Sequence, residues 1–291
     1  MAVAAPTRQE AAQALPARRP LSARRRLNRA LLYAVAIAIT LFMLVPIYLI
    51  IIAAFSPRRV VFAFPKSLIP TTFSTDTIEF FLNSTGVKQS AVNSIIVGLL
   101  TLALSLLIGA PAGLALARYA FRGRDAFSIL ILSTRAFPIV ILSIPLAVTF
   151  LNWGLYDTLI AVALAHTALA LPTTILVTSS IFVSVPRDLE EAAQTLGCTP
   201  FGAFRRVVLP LSLPGIAAAA IFTFVLSWNE VFAATILTLR NRTLPAQVLG
   251  SLNDSPLYFR FAGGFALVFP SLIFIFFMRR YLFNMWGRVV R

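Results

Sequence analysis

The stretch Val185–Pro210, VPRDLEEAAQTLGCTPFGAFRRVVLP, decides the fold. It is the one long polar interruption in the second half of an otherwise lipid-soluble chain, and it carries start and stop signals for two short helices. Asp188 is placed to cap the first, with Glu191 three residues on completing a capping box and Pro186 limiting the chain's entry. Leu189, Ala192, Ala193 and Leu196 then recur at i, i+3, i+4 and i+7, which puts them on one face. Gly197 stands where a C-terminal cap belongs, and Thr199 with Pro200 supplies the next N-cap and first-turn proline. The second helix has Phe201, Phe204, Val207 and Val208 on its apolar side and Arg205 and Arg206 on its polar side, and Leu209 with Pro210 closes it.

The surrounding chain says what this polar elbow interrupts. Its 291 residues are 59% hydrophobic, with a mean hydropathy of +0.87, too apolar for a soluble domain. The reading is an all-α membrane protein. Ala30 to Ala54 is the first apolar run, and five more come at about 90–117, 126–150, 158–183, 215–238 and 261–281, each near the roughly 20 residues that cross hydrocarbon. Six transmembrane helices return both termini to one side. Arg118, Arg122 and Arg124 follow the second run, Arg187, Arg205 and Arg206 the fourth, and Arg279, Arg280, Arg288 and Arg291 the sixth. All share a side with Arg18, Arg19, Arg24, Arg25, Arg26 and Arg29, so that side, with both termini and the elbow, is cytosolic. Arg58, Arg59, Lys66, Arg240 and Arg242 in the outer segments weaken this asymmetry without reversing it.

Residues 1–29, rich in Ala, Pro and Arg, read as a disordered basic cytosolic tail, and residues 30–291 as the membrane domain. A cleaved signal peptide fits less well, because the first apolar run is long enough to span and lacks a small-residue cleavage site. The net charge of +15 points to anionic lipid headgroups and not to nucleic acid, since the Arg residues cluster beside apolar runs instead of forming a stripe among aromatics. The single Cys198 makes no intramolecular disulfide. The outer segment 55–89 is a loop with one short helix near Asp76 to Leu82.

Glu191-Ala192-Ala193, three residues, Gly197, nine residues, Val207, one residue, Leu209-Pro210 resembles the EAA loop of ABC-importer permeases. The pattern fixes several residue types over some twenty positions. An amphipathic hairpin lying in the lipid interface is the plainer reading, but such an anchor has little use for adjacent Glu190 and Glu191. LARYAFRGRD at Leu116–Asp125, SWNEVFAATILT at Ser227–Thr238 and FSTDTIEFF before the second run are similar to segments of the permeases of maltose-type carbohydrate importers. Two departures stand out: Leu196 where that family often has Asp, and a C-terminus, NMWGRVVR, without the small-residue tail of many members.

The resemblance implies a type I ABC importer permease fold in the inner membrane of a prokaryote-type cell. The implied partners are a second homologous permease, a dimer of cytosolic ATPase subunits, an external solute-binding protein and a sugar-like or polyol substrate. It implies that Glu190, Glu191, Ala192, Ala193, Gly197, Leu209 and Pro210 dock on the ATPase as a coupling helix, and that the loop with Gly250, Asn253 and Asp254 contacts the binding protein. A solvated linker is the alternative for that loop. ATP and magnesium belong to the partner: no G-x-x-x-x-G-K-[ST] occurs, and Lys66 and Lys88 are the chain's only lysines. The chain is thus a non-enzymatic subunit with no catalytic or metal site, and a membrane-embedded enzyme finds no support in a sequence with one His and no nucleophile–base pattern.

Polar residues inside apolar runs mark a path or a structural network. Asn93, Arg135, His166, Trp228, Asn229 and Glu230 are the candidates for a water-filled substrate path, with Trp228 or Tyr156 as a stacking face. The structural alternative is an internal network such as Arg135 with Glu230, and for His166 a helix-to-helix hydrogen bond. An ion-coupled secondary transporter using Arg135, His166 and Glu230 is the competing function.

Overall fold

The computed structural model describes residues 23–64, 69, 72–252 and 254–286. Every regular element among them is helical. The chain divides between Leu49 and Ile50 into two units. The first contains most of α1 (Ala23–Ala54), whose apolar stretch Leu27–Ala54 has a mean hydropathy of 2.9. The helix starts at Ala23, seven residues inside the expected tail. ARRRLNRALL contains strong helix formers and no Gly or Pro, so nothing stops the helix from growing back from the apolar run. The expected disorder of residues 1–22 lies outside the described residues.

The second unit holds α2 (Arg58–Val61), α3 (Asp76–Asn83), α4 (Val87–Arg118), α5 (Arg124–Ser133), α6 (Ile139–Asn152), α7 (Leu159–Ser184), α8 (Arg187–Thr195), α9 (Pro200–Asn229), α10 (Phe232–Leu237), α11 (Leu244–Gly250) and α12 (Leu257–Trp286). Among the described residues five helices are long and apolar enough to cross a bilayer, and α5 with α6 makes a sixth, broken crossing.

The heart of this unit is the pairing of α4 with α7, against which α9 packs in turn. Lipid offers no hydrophobic drive for helices to associate, so close approach of small residues and interhelical hydrogen bonds must hold them. Gly113 provides the closest approach: a Cβ there would sit 2.8 Å from both the Ile175 carbonyl oxygen and the Ser179 nitrogen of α7. One turn away, the Thr178 hydroxyl reaches the Gly109 carbonyl at 3.2 Å. Thr174 and Thr223, 3.1 Å apart, join α7 to α9.

Three expectations need correction. The third crossing is not continuous: α5 ends in a tight turn at Thr134–Ala136, and α6 leaves at 89° to it. Pro138 lacks an N–H and forces Phe137 into extended backbone (φ −81, ψ 120), so the helix cannot pass. The second helix of the polar elbow does not close at Pro210 but runs on to Asn229 as α9. It passes Pro210 through a wide turn at Phe204–Val208, where the Leu209 N–H bonds to the Phe204 carbonyl five residues back. Such a widened turn relieves the clash of the Pro210 ring with the preceding turn. The fifth crossing consequently spans Pro200–Asn229 and not 215–238, and the chain beyond it forms the separate short helix α10.

Candidate functional site

The elbow between α7 and α9 sits on a small apolar cluster of Ala117, Phe182, Val185 and Val208. The expected capping box is absent. Helix α8 begins at Arg187, so Asp188 falls within the first turn, where with Glu190 it opposes the positive end of the helix dipole instead of capping it. The C-terminal signal is realised in full. Gly197 adopts φ +91, the Cys198 N–H bonds to the Ala193 carbonyl at 3.0 Å, and the Gly197 N–H bonds to the Gln194 carbonyl at 2.9 Å. This is a Schellman end, and it demands a residue free to take positive φ. Thr199 then accepts the Gly202 N–H at 3.1 Å, with Pro200 in the first turn.

Glu190 and Glu191, adjacent in sequence, have different fates. Glu190 pairs with Arg118 at the end of α4, Nε to Oε2 3.2 Å, a charge contact without in-line hydrogen-bond geometry. The Arg118 guanidinium also donates to the Val185 carbonyl at 3.1 Å, and Arg187 donates to the Arg118 carbonyl at 2.9 Å. The elbow is thereby bolted to the end of α4, a link that no local sequence pattern announces. Glu191 is exposed, and its carboxylate has no partner among the described residues. Ala192 is exposed and Ala193 half-buried beside it, while Leu196 and Phe201 project as bare apolar side chains, 87% and 72% exposed. Leu209 is half-buried and Pro210 exposed, both inside α9.

A cavity of about 960 Å³ lies at the break of the third crossing, between α5–α6 on one side and α7 and α9 on the other. Of the six residues expected on a substrate path, Arg135, Asn229 and Glu230 line it. The others do not. Asn93 is buried, and its amide is spent on the Arg242 carbonyl (3.0 Å) and Gln89 (3.0 Å). Trp228 is buried, stacks on Phe224 at 6.1 Å and donates to the Leu267 carbonyl at 3.0 Å, so it presents no free face. Tyr156, the other expected stacking face, donates its hydroxyl to the Ile236 carbonyl at 3.1 Å.

His166 is fully buried behind the cavity wall. Its Nε2 lies 3.0 Å from Glu230 Oε2 and its Nδ1 2.8 Å from Ser227 Oγ. A carboxylate only accepts, so Nε2 is the donor of that pair. Glu230 in turn accepts the backbone N–H groups of Phe232 and Ala233 (both 3.0 Å) and Ala234 (3.2 Å), the orphan donors at the start of α10. The expected Arg135–Glu230 pair does not form. Glu230 is a helix cap held by histidine, and an ion-coupling trio of Arg135, His166 and Glu230 is not assembled. Among the described residues no three His, Cys, Asp or Glu side chains gather as a metal would require.

At the opposite end from the elbow, Asp157 takes the left-handed φ of +60. Its Oδ1 accepts the N–H groups of Leu239 (2.8 Å), Arg240 and Asn241 (both 3.0 Å), clamping the chain after α10. Burial pushes this carboxyl up, but the three donors and the Arg240 charge outweigh it and hold it below the ordinary carboxylate range. Ser94 accepts the Leu244 N–H at 2.8 Å, and Leu244, Pro245, Ala246 and Val248 of α11 are buried. The segment after Arg240 is thus anchored over most of its length, and a free linker is not what the chain builds there. Gly250 and Asp254 are exposed beside it. Asn253 lies outside the described residues.

Comparison with known proteins agrees with this geometry. The family described as binding-protein-dependent transport system inner membrane component matches residues 106–285. The trehalose transport system permease protein SugB of Mycobacterium tuberculosis is 32% identical over 219 residues, 73% of this chain and 80% of that protein. The diacetylchitobiose uptake system permease protein NgcG of Streptomyces coelicolor is 30% identical over 230 residues, 79% of this chain and 76% of that protein. In three dimensions, a subunit of a bacterial ABC transporter involved in import of the acidic polysaccharide alginate superposes with a TM-score of 0.66, covering 89% of this chain and 97% of that one, at 21% identity. At that identity the likeness is one of fold.

Proposed function

Since the chain belongs to the binding-protein-dependent transport system inner membrane component family, we propose that it forms one half of the translocation path of a sugar importer and takes up the motor's movement through the elbow between α7 and α9. It is a permease subunit of an ABC importer, a non-catalytic, multi-pass inner-membrane protein that works with an ATPase and a binding protein. The finer reading names a second homologous permease closing the path, an ATPase dimer carrying ATP and magnesium, and a sugar or polyol as cargo. Sugar cargo is supported by the trehalose and diacetylchitobiose permeases among its relatives.

The observation that carries the coupling role is the mechanical continuity of the elbow. A short helix closed by a glycine end leads, through one capped turn, into a thirty-residue crossing, and it is tied to α4 by Arg118, Glu190 and Arg187. Displacing α8 must therefore move α4 and α9 together. Glu191, Ala192, Leu196 and Phe201 stand free for a docking partner, Glu191 as a charged acceptor and the others as apolar contact. Arg122, Arg124, Arg205 and Arg206 surround this end, which supports a cytosolic placement. At the other end, the exposed positions near Gly250 and Asp254, on a segment held by Asp157 and Ser94, form the surface offered to the binding protein.

The test is isolation of the complex in mild detergent through a tagged copy of this chain, followed by reconstitution. An ATPase, a second permease and sugar-stimulated ATP hydrolysis are the expected findings. Solute uptake by the purified chain alone, without ATP, overturns the reading.

A further inference from the structure

We infer that Arg135 makes the cavity a site for an anionic sugar, one bearing a carboxylate, sulfonate or phosphate, and that its guanidinium is the group that recognises the acid. This rests on the importer reading and adds the chemical class of the cargo to it. The charged side chains lining the cavity are Arg135 and Glu230. They do not neutralise one another. The Glu230 carboxylate is committed on both oxygens, to three backbone N–H groups of α10 and to His166. Arg135 has neither a carboxylate nor a hydrogen-bond acceptor among the described residues, and its side chain is exposed into the cavity from the turn Thr134–Ala136.

The position of that turn matters. Helix α5 has ten residues, about 15 Å of rise against roughly 30 Å of hydrocarbon, and Arg135 follows it within the broken third crossing. A charge at such depth is expensive unless it faces water or a counter-ion. The 89° break interrupts the crossing there, and Arg135, in the turn at the break, lines the cavity. A guanidinium has five donors in a planar fork suited to carboxylate or phosphate oxygens. Thr134 and Asn229 line the same cavity; the Thr134 hydroxyl donates to the Ile131 carbonyl (2.7 Å) and the Asn229 amide to the Val225 carbonyl (2.8 Å), which leaves their side-chain oxygens to accept from sugar hydroxyls, while Leu142 and Ile175 supply apolar wall for a pyranose face. Among the described residues the arrangement is one fixed cation amid neutral polar and apolar surface, with the one acid of the lining already occupied.

The experiment uses the whole complex, purified through this chain and reconstituted with its binding protein. Three readouts are taken: ATP hydrolysis without sugar, uptake of a hexuronate-containing disaccharide, and uptake of the neutral disaccharide of the same linkage. Wild type is expected to favour the acidic probe. R135Q is expected to lower the ratio of acidic to neutral uptake by roughly tenfold or more, as for one charge-assisted contact, whereas R135K keeps most of that ratio. Equal uptake of both probes by wild type overturns the inference, whether or not the variants assemble. So does an equal fall of both probes in R135Q, which would make Arg135 a structural charge. Failure of the complex to hydrolyse ATP or to contain an ATPase would instead strike the importer reading beneath it, so the two failures are distinguishable.

Discussion

His166 Nε2 lies 3.0 Å from Glu230 Oε2, joining the middle of α7 to the residue that caps α10, with side chains 0% and 8% exposed. The pair closes one wall of the cavity from behind. Its two members come from elements that the sequence presents as separate apolar runs, and the three backbone donors of α10 depend on it for orientation. Removing His166 takes one charge-assisted hydrogen bond from a carboxylate that keeps its three backbone donors, a loss of about 1.5–3 kcal/mol. H166A is therefore expected to lower the thermal stability of the detergent-solubilised protein by that order. H166Q, which keeps an N–H donor near Glu230, is expected to recover part of it; equal loss in both variants would show that packing, not the hydrogen bond, matters.

Arg118 and Glu190 are partly exposed, 10% and 22%, so their direct contribution to stability is small, about 0.5–1 kcal/mol. Their effect on transport is expected to be larger, because the pair ties α4 to the elbow. In a double-mutant cycle with R118A and E190A, each single variant should slow uptake several-fold, and the double variant should be no slower than either. Additive losses would mean the two residues act independently.

Glu191 has no such tie and is available to a partner. E191K is expected to abolish uptake while leaving amount and membrane location unchanged, measured by immunoblot of membrane fractions beside transport. Normal uptake in E191K would count heavily against docking at this face.

Gly197 has φ +91, where a side chain is strained by about 1–2 kcal/mol. Among the described residues no neighbouring atom lies within 4 Å of the position a Cβ would take, so the penalty is one of backbone alone. G197N should thus be better tolerated than G197A, and G197A better than G197V, in an assay of ATP-driven uptake. Gly113 is the reverse case, limited by space. G113V pushes a side chain into the α7 backbone, and the expected result is a protein that fails to accumulate, scored by fluorescence-detected gel filtration.

Asp157 gives a pH expectation with a definite sign. Its folded-state pKa lies below the ordinary value of 3.8, so its stabilising effect is complete above that value and is lost as pH falls through the folded one. From pH 5 to pH 8 the outer clamp should be insensitive to pH. D157A should speed amide hydrogen exchange at Leu239, Arg240 and Asn241 across this whole range, and D157N, which keeps an acceptor and tolerates left-handed backbone, should do so less.

The sequence by itself determined the all-helical membrane class, because crossing hydrocarbon requires long apolar runs and these are visible one residue at a time. It also determined the glycine end at Gly197 and the cap at Thr199, since such signals act over four or five residues. It misplaced what depends on carbonyl and ring clashes inside an apolar run. Pro138 breaks its crossing whereas Pro145 and Pro210 are carried within helices, and composition does not distinguish them. Only the tertiary structure decided which polar side chains face the cavity. Asn93, His166 and Trp228 stand in apolar runs just as Arg135 does, but their polar atoms are spent on partners elsewhere in the fold, whereas Arg135 keeps none among the described residues. A hydrogen bond between residues 61 or 149 positions apart leaves no periodicity to read. Burial turns a polar group into a fastener or leaves it free for a ligand, and burial is a property of the packed chain.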